Sequence, residues 1–125
     1  MSLWHPMRLG QIIAYDDTRV SAETAEKERK YARISTKGAG IGFSALRIVV
    51  SLWTDDPSHT AYVRIYIDDE TTPRAEFTSN STEEEVKEKI INILDLTPGI
   101  HVVRLKLYSA GGTAYNELFE IWGVV

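Results

Sequence analysis

The stretch LTPGIHVVRLKLYSAGGTAYNELFEIWGVV, residues 96–125, decides the fold class. Leu96-Thr97-Pro98-Gly99 has turn chemistry, because proline presets one backbone angle and glycine tolerates left-handed ones. His101 to Ser109 then alternates: Val103, Leu105 and Leu107 fall on one side, Arg104, Lys106 and Tyr108 on the other. A two-residue period of this kind marks a strand with one buried face. Gly111-Gly112 makes another turn, and Tyr115 to Val125, with Phe119, Ile121 and Trp122, is apolar on both faces. Such a strand is expected to be central or covered. The sequence of turn, strand, turn and strand closes an antiparallel β-sandwich.

The same period recurs upstream. In Ala45 to Trp53, Leu46, Ile48, Val50 and Leu52 share a face, and in Ala61 to Asp68, Ala61, Val63, Ile65 and Ile67 do. Thr54-Asp55-Asp56-Pro57-Ser58-His59 between them is rich in turn formers, so the two segments are read as a hairpin. Gln11 to Tyr15 and Arg74 to Ser79 are shorter strands, the latter with Ala75 and Phe77 inward. Two segments satisfy both helix and strand patterns. Residues 18–37 have helical composition but a thin apolar stripe, which favours an edge-like strand over Lys27 to Ser35. Residues 81–96 carry capping-box spacing at Thr82 and Glu85, yet the run of short strands favours a strand over Lys87 to Ile93. Residues 1–10 are read as an arm, 38–42 as a glycine loop, and 11–125 as a single domain. The expected fold is all-β: an antiparallel sandwich, a jelly roll of about eight strands.

Composition narrows the function classes. The chain has 125 residues, enough for one cored domain. Its 18 acidic and 14 basic residues leave a net charge of −4, which gives no electrostatic footprint for nucleic acid. With no cysteine, disulfides, thiolate catalysis and cysteine-ligated zinc are excluded. No basic segment followed by an apolar run appears near the start, and no window is apolar enough to span a bilayer as a helix. A soluble chain without membrane insertion is expected, in a compartment the sequence does not specify.

Ile91-Asn92-Ile93, Leu96-Thr97-Pro98-Gly99-Ile100-His101 and Val103-Arg104-Leu105 together resemble the closing strands of jelly-roll domains of the galactose-binding-like, carbohydrate-binding-module type. In those modules a strand enters a Leu-x-Pro-Gly turn and leaves in a strand of alternating apolar residues. The resemblance covers about the C-terminal third and implies a sandwich that binds sugars in some members and serves as a packing or shell domain in others. It maps no ligand residue onto this chain.

One candidate binding face stands out. Tyr62, Arg64 and Tyr66 alternate on one strand; Arg47, Val49 and Trp53 would lie beside them in the hairpin, and Arg104, Lys106 and Tyr108 would extend the patch. Aromatic rings flanked by arginine stack on sugars or anchor protein contacts. The plainer account is cross-strand tyrosine–arginine packing on a solvated sheet. Asp55, Asp56, Asp68 and Asp69 are candidate cation ligands, set against the simpler role of aspartate as a turn former. His5, His59 and His101 are widely separated and form no paired-histidine motif. No P-loop, dinucleotide fingerprint or nucleophile elbow occurs, and Glu117 and Glu120 fall on opposite sides of a strand.

These readings lead to a non-catalytic module without cofactor. Its expected role is structural: self-association, or docking in a larger assembly such as a particle shell, a surface layer or an appended domain. The alternative is a carbohydrate-binding module with Tyr62, Tyr66 and Trp53 as platform and Arg64 and Arg47 as donors.

Overall fold

The computed structural model describes residues 11–36 and 43–124. The arm at 1–10, the glycine loop at 38–42 and Val125 lie outside the described residues. The strands are β1 (Gln11–Asp16), β2 (Val20–Ala22), β3 (Lys27–Ser35), β4 (Ala45–Thr54), β5 (Ala61–Ile67), β6 (Ala75–Ser79), β7 (Glu85–Asn92), β8 (Ile100–Ser109), β9 (Ala114–Asn116) and β10 (Phe119–Val124). Among the described residues there is no helix, so none is long and apolar enough to cross a membrane.

The strands form two antiparallel sheets. One runs β3-β8-β5-β6; the other runs β1-β10-β4-β9-β2, with β7 on the far side of β4. In the second sheet β10 pairs with Ala45–Val50 of β4, and β9 pairs with Trp53–Thr54 on the same edge. β1 and β2 repeat this arrangement against β10 and β9. Ten strands therefore fill eight positions, because two long strands are each broken once. The apolar C-terminal segment is indeed central, but it is split at Glu117–Leu118.

The alternating residues explain the core. Leu46, Ile48, Val50 and Leu52 of β4 face Val63, Ile65 and Ile67 of β5, with Val103, Leu105 and Leu107 of β8 and Phe119 and Ile121 of β10, all essentially without solvent exposure. Both ambiguous segments are strands. In β7 the residue Ile91 points inward and Ile90 outward, and just beyond the strand Ile93 is buried. β3 is an edge strand, as its charge suggests. β7, an edge of the larger sheet, carries Lys87 and Lys89 opposite Val50 and Ile48 on the inward side. The Lys89 amine donates to the Glu76 carbonyl at 2.6 Å and lies 5.5 Å from the Phe77 ring, closing the seam between the sheets.

One expectation is overturned. β4 and β5 are not a hairpin: they belong to different sheets and face each other across the core. Both edges of β4 are already taken, by β10 with β9 and by β7. Alternation shows that a strand has one buried face. It does not distinguish a neighbour beside that strand from one opposite it.

The strand breaks are stitched by buried polar groups. The Asn116 amide donates to the carbonyls of Ser51 (2.7 Å) and Leu118 (2.9 Å), and the Ser51 hydroxyl accepts from the Glu117 and Leu118 amides. From the opposite sheet, a bulge between Glu28 and Lys30 sends two successive cations across. Arg29 Nε donates to the Ser21 carbonyl at 2.8 Å. Lys30 Nζ donates to the carbonyls of Asp16 (3.0 Å) and Glu117 (2.5 Å) and lies 3.5 Å from an Asp16 carboxylate oxygen. Burial pushes the Lys30 amine below its usual value, against the pull of Asp16. Lys30→Ala is expected to destabilise the fold by about 2–4 kcal/mol, because it leaves two carbonyls at the strand breaks without their donor. A urea-unfolding midpoint unchanged from wild type would refute this clamp.

Candidate functional site

The outward side of the β3-β8-β5-β6 sheet is a grid set by register. Tyr62 lies opposite Tyr108; Arg64 lies opposite Lys106, and Lys106 opposite Glu28; Tyr66 lies opposite Arg104, and Arg104 opposite Tyr31. Thr78 and Glu76 of β6 flank Tyr62 and Arg64. The structure thus brings together Tyr62, Arg64, Tyr66, Arg104 and Tyr108. It does not bring Arg47 and Trp53 to them. With the hairpin gone, these two sit on the outer face of the other sheet. There Arg47 lies 4.7 Å over the Trp122 ring and pairs with Glu88, while Trp53 stacks on Tyr115 beneath Arg19.

The grid is densely paired. The Tyr62 and Tyr108 rings are 4.5 Å apart and within 4° of parallel. Adjacent strands are about 4.8 Å apart, so these rings stand upright side by side and present their edges. Arg64 lies 4.9 Å from the Tyr108 ring centre, and its Nε donates to Glu76 at 2.6 Å. That hydrogen bond raises the already high pKa of the guanidinium, making Arg64 a fixed cation. Glu26 accepts from the Tyr66 hydroxyl at 3.1 Å and from Arg64 at 3.4 Å. Tyr66 points outward as the alternation requires but is only 4% exposed, because the Lys106 amine lies 4.5 Å over its ring. It is therefore a floor under Lys106, whereas Tyr31, at 55% exposed, is the open ring on this face. Burial pushes the phenols of Tyr66 and Tyr108 up, with Glu26 adding to the effect on Tyr66; both stay protonated near neutrality.

Between β3 and the β5–β6 loop this face sinks into an open groove of about 530 Å³. Tyr66, Arg104 and Lys106 line it, flanked by Glu26 and Glu28 and, from the loop, by Asp68, Asp69 and Glu70. Arg104 joins the two sides: its Nε donates to the Asp68 carbonyl at 2.9 Å and its Nη1 to Glu28 at 3.1 Å.

The four aspartates proposed as cation ligands do not converge. Asp55 and Asp56 precede β5, and Asp68 and Asp69 follow it, at opposite ends of the strand. Asp55 faces the His59 ring at 3.2 Å, and Asp56 accepts from Ser58. Among the described residues no group of three or more His, Cys, Asp or Glu is placed to hold a metal. Asp68 adopts a positive φ of 55° and takes part in a different contact. Its Oδ2 lies 2.6 Å from His101 Nδ1, while His101 Nε2 lies 2.6 Å from the Thr97 carbonyl. Both ring nitrogens thus face acceptors, which suits the imidazolium. The hydrogen bond to Asp68, then that to Thr97, raises the His101 pKa. Desolvation opposes ionisation of Asp68, but the hydrogen bonds from His101 and the Val102 amide outweigh it and hold the carboxyl below its usual range.

Neither a protein-family profile nor a curated protein sequence matches the chain. A solved structure described as "CBM4 structure and function", a carbohydrate-binding module, superposes with a TM-score of 0.54 at 11% identity, over 98% of this chain and 83% of the other. The likeness is one of fold. It extends the resemblance read in the C-terminal third to nearly the whole chain, and with the strand pairing it establishes the all-β sandwich.

Several residues of the groove and its surroundings carry no signal in the sequence pattern. Glu26, Glu28 and Tyr31 reach the face from β3 and the bend before it, and the bulge after Glu28 interrupts the two-residue period that would have aligned them. Glu76 was legible in principle, as the polar residue between the inward Ala75 and Phe77.

The Asp68–His101 contact gives a signed pH dependence. Asp68 titrates below its ordinary 3.8 when folded, so its contribution is present above that pH and lost as pH falls through the lowered value. His101 titrates above its ordinary 6.5, so its contribution is full below 6.5 and lost as pH rises through the raised value. Stability of the wild type relative to His101→Gln is therefore expected to be greatest at mildly acid pH and to decline on the alkaline side. Parallel profiles of the two proteins, by urea unfolding from mildly acid to mildly alkaline pH, would disprove it.

Proposed function

We propose that this chain is a non-catalytic carbohydrate-binding module that takes a neutral glycan in the groove of the β3-β8-β5-β6 sheet. The observation that carries the reading is the groove itself: an open channel with planar charged side chains and an exposed tyrosine beside it, on a sandwich whose fold likeness is to a carbohydrate-binding module. A sugar presents apolar C–H faces to a ring and adjacent hydroxyls to groups able to donate or accept two hydrogen bonds at once. Tyr31 supplies the ring, and Arg104 with Glu28 supplies such groups. The lining has five carboxylates, Glu26, Glu28, Asp68, Asp69 and Glu70, against the two cations Arg104 and Lys106, a balance that repels uronate or sulfated chains. Glycoside hydrolysis would use one carboxyl held protonated near neutrality. In the groove Asp68 and Glu70 are instead held below the usual range, Glu70 chiefly by its hydrogen bond from Arg74.

Retention in affinity electrophoresis against a panel of neutral and acidic polysaccharides tests the reading, followed by calorimetry with oligosaccharides of any that bind. Tyr31→Ala and Arg104→Ala are each expected to weaken binding about tenfold or more, or roughly 1.4 kcal/mol. Absence of retention on every neutral glycan, or binding that both variants leave intact, would remove the groove as the site. The shell or surface-layer role expected from the sequence ranks second, because the fold comparison favours the glycan reading.

A further inference from the structure

The outer face of the β1-β10-β4-β7 sheet has a different character. Ile12 and Tyr15 on β1 are 41% and 69% exposed, and Val86 and Ile90 on β7 are 62% and 66% exposed. The register places all four on the outward side: Ile12 beside Trp122, Tyr15 beside Glu120, Val86 beside Ser51 and Ile90 beside Arg47. On the groove face the charges are tied to one another, the open ring, Tyr31, has Arg33 against it at 5.5 Å, and the strongly exposed aliphatic residue is Ile100, at the very start of β8. Exposed apolar side chains gathered on one sheet face mark a contact surface.

Their order across the sheet indicates the occupant. One line of register runs Ile12–Trp122–Arg47–Ile90 from β1 through β10 and β4 to β7. It is apolar at both ends, with a ring and a cation, 4.7 Å apart, at its centre. A two-fold axis along the strands, midway between β10 and β4, reverses this line onto itself. Ile12 of each copy then meets Ile90 of the other, and Trp122 of each meets Arg47 of the other. The next line, Tyr15–Glu120–Val49–Glu88, brings the Tyr15 hydroxyl against Glu88 under the same rotation. Such a rotation gives the aligned sheet-on-sheet packing that sandwiches use internally. An isologous contact requires this self-complementarity. The four exposed residues, with Trp122, Arg47 and the flanking glutamates, extend the contact across four strands, the breadth of face on which a standard interface of ~800 Å² per partner is built.

We infer that this face is a homodimer interface, in which a second copy of the chain packs with Ile12 against Ile90. The groove lies on the opposite side of the sandwich, so dimerisation leaves it open and makes the unit bivalent. The inference stands whether or not the groove takes a glycan.

Light-scattering mass across a concentration series, on the full chain, tests it. The wild type is expected to approach twice its 14.1 kDa as concentration rises. Ile12→Glu and Ile90→Lys should each return the mass to 14.1 kDa, by burying a charge against isoleucine. Combining Ile12→Glu with Ile90→Lys should regain the dimer, since the carboxylate introduced on β1 of one copy then faces the amine introduced on β7 of the other. Within one copy these positions are three strand spacings apart, about 14 Å, too far for an ion pair to account for the rescue. Thr78→Glu, on the groove side, should leave the mass unchanged, and far-ultraviolet circular dichroism confirms that each variant is folded. A monomeric wild type would overturn the inference and leave the face to residues 1–10 of the same chain or to a different partner. A dimer indifferent to both single variants, or not restored in the double variant, would overturn it as well.

Discussion

The Lys30 amine holds together the part of the sandwich that regular sheet pairing leaves open. Both long strands of the larger sheet are interrupted near the same place, at Asp16–Val20 and at Asn116–Phe119. An interrupted strand exposes carbonyls that no ladder satisfies, and buried unpaired carbonyls are costly. Lys30 reaches one carbonyl at each interruption from the opposite sheet. Its position depends on the bulge in β3, which turns a residue of a charged edge strand into the core. Ser51 and Asn116 complete the repair from β4 and β9. The result is a polar knot at one place in a largely aliphatic core.

The two outer faces follow from how each sheet uses its alternate residues. From Tyr62 to Tyr66 on β5 and from Arg104 to Tyr108 on β8 the outward positions hold tyrosine, arginine and lysine, and Arg64, Tyr66 and Arg104 find glutamate partners on β6, on β3 and just before it. Such a face is already hydrogen-bonded in water, so a ligand there must exchange one set of polar contacts for another. Recognition under those conditions depends on geometry rather than on apolar area. On β1 and β7 the outward positions include isoleucine, valine and tyrosine, with fewer charges between them. That face gains chiefly by being covered. One sandwich therefore carries two surfaces with opposite energetic requirements, back to back.

Much of the architecture was legible because burial imposes a period. Leu46 to Leu52, Val63 to Ile67 and Val103 to Leu107 each announced a strand with one inner face, and all of them line the core. The period is a property of one strand and its own burial. It carries no information about partners, so it points equally to a β4–β5 hairpin that does not form and to a shared face for Arg47, Trp53 and Tyr62 that the two sheets keep apart. Where the period fails, composition points the other way: β3 has the make-up of a helix because its bulge breaks the alternation and its charges sit at an edge, and the thin apolar stripe is what favours the strand over Lys27 to Ser35 that forms. Residues of the groove and of the face around it were partly legible. Tyr62, Arg64, Arg104 and Tyr108 were visible as outward positions, but the covering of Tyr66 by Lys106 depends on two strands distant in sequence. Glu26 could not be placed at all, since it lies in a bend before β3.

The topology has a kinetic consequence. Of the eight ladders among the described residues, only β5–β6 joins strands that follow one another in sequence. Every other ladder must close a long loop before it gains any contact, and β1 must wait for β10 from the far end of the chain. Folding should therefore be slow for a domain of this size, on the scale of milliseconds to seconds, and nucleated away from the termini. The order in which the chain leaves the ribosome adds to the delay. β4, with both edges committed to strands made later, spends that interval unpaired and strongly apolar, and it is the segment most in need of protection until the C-terminal strands arrive.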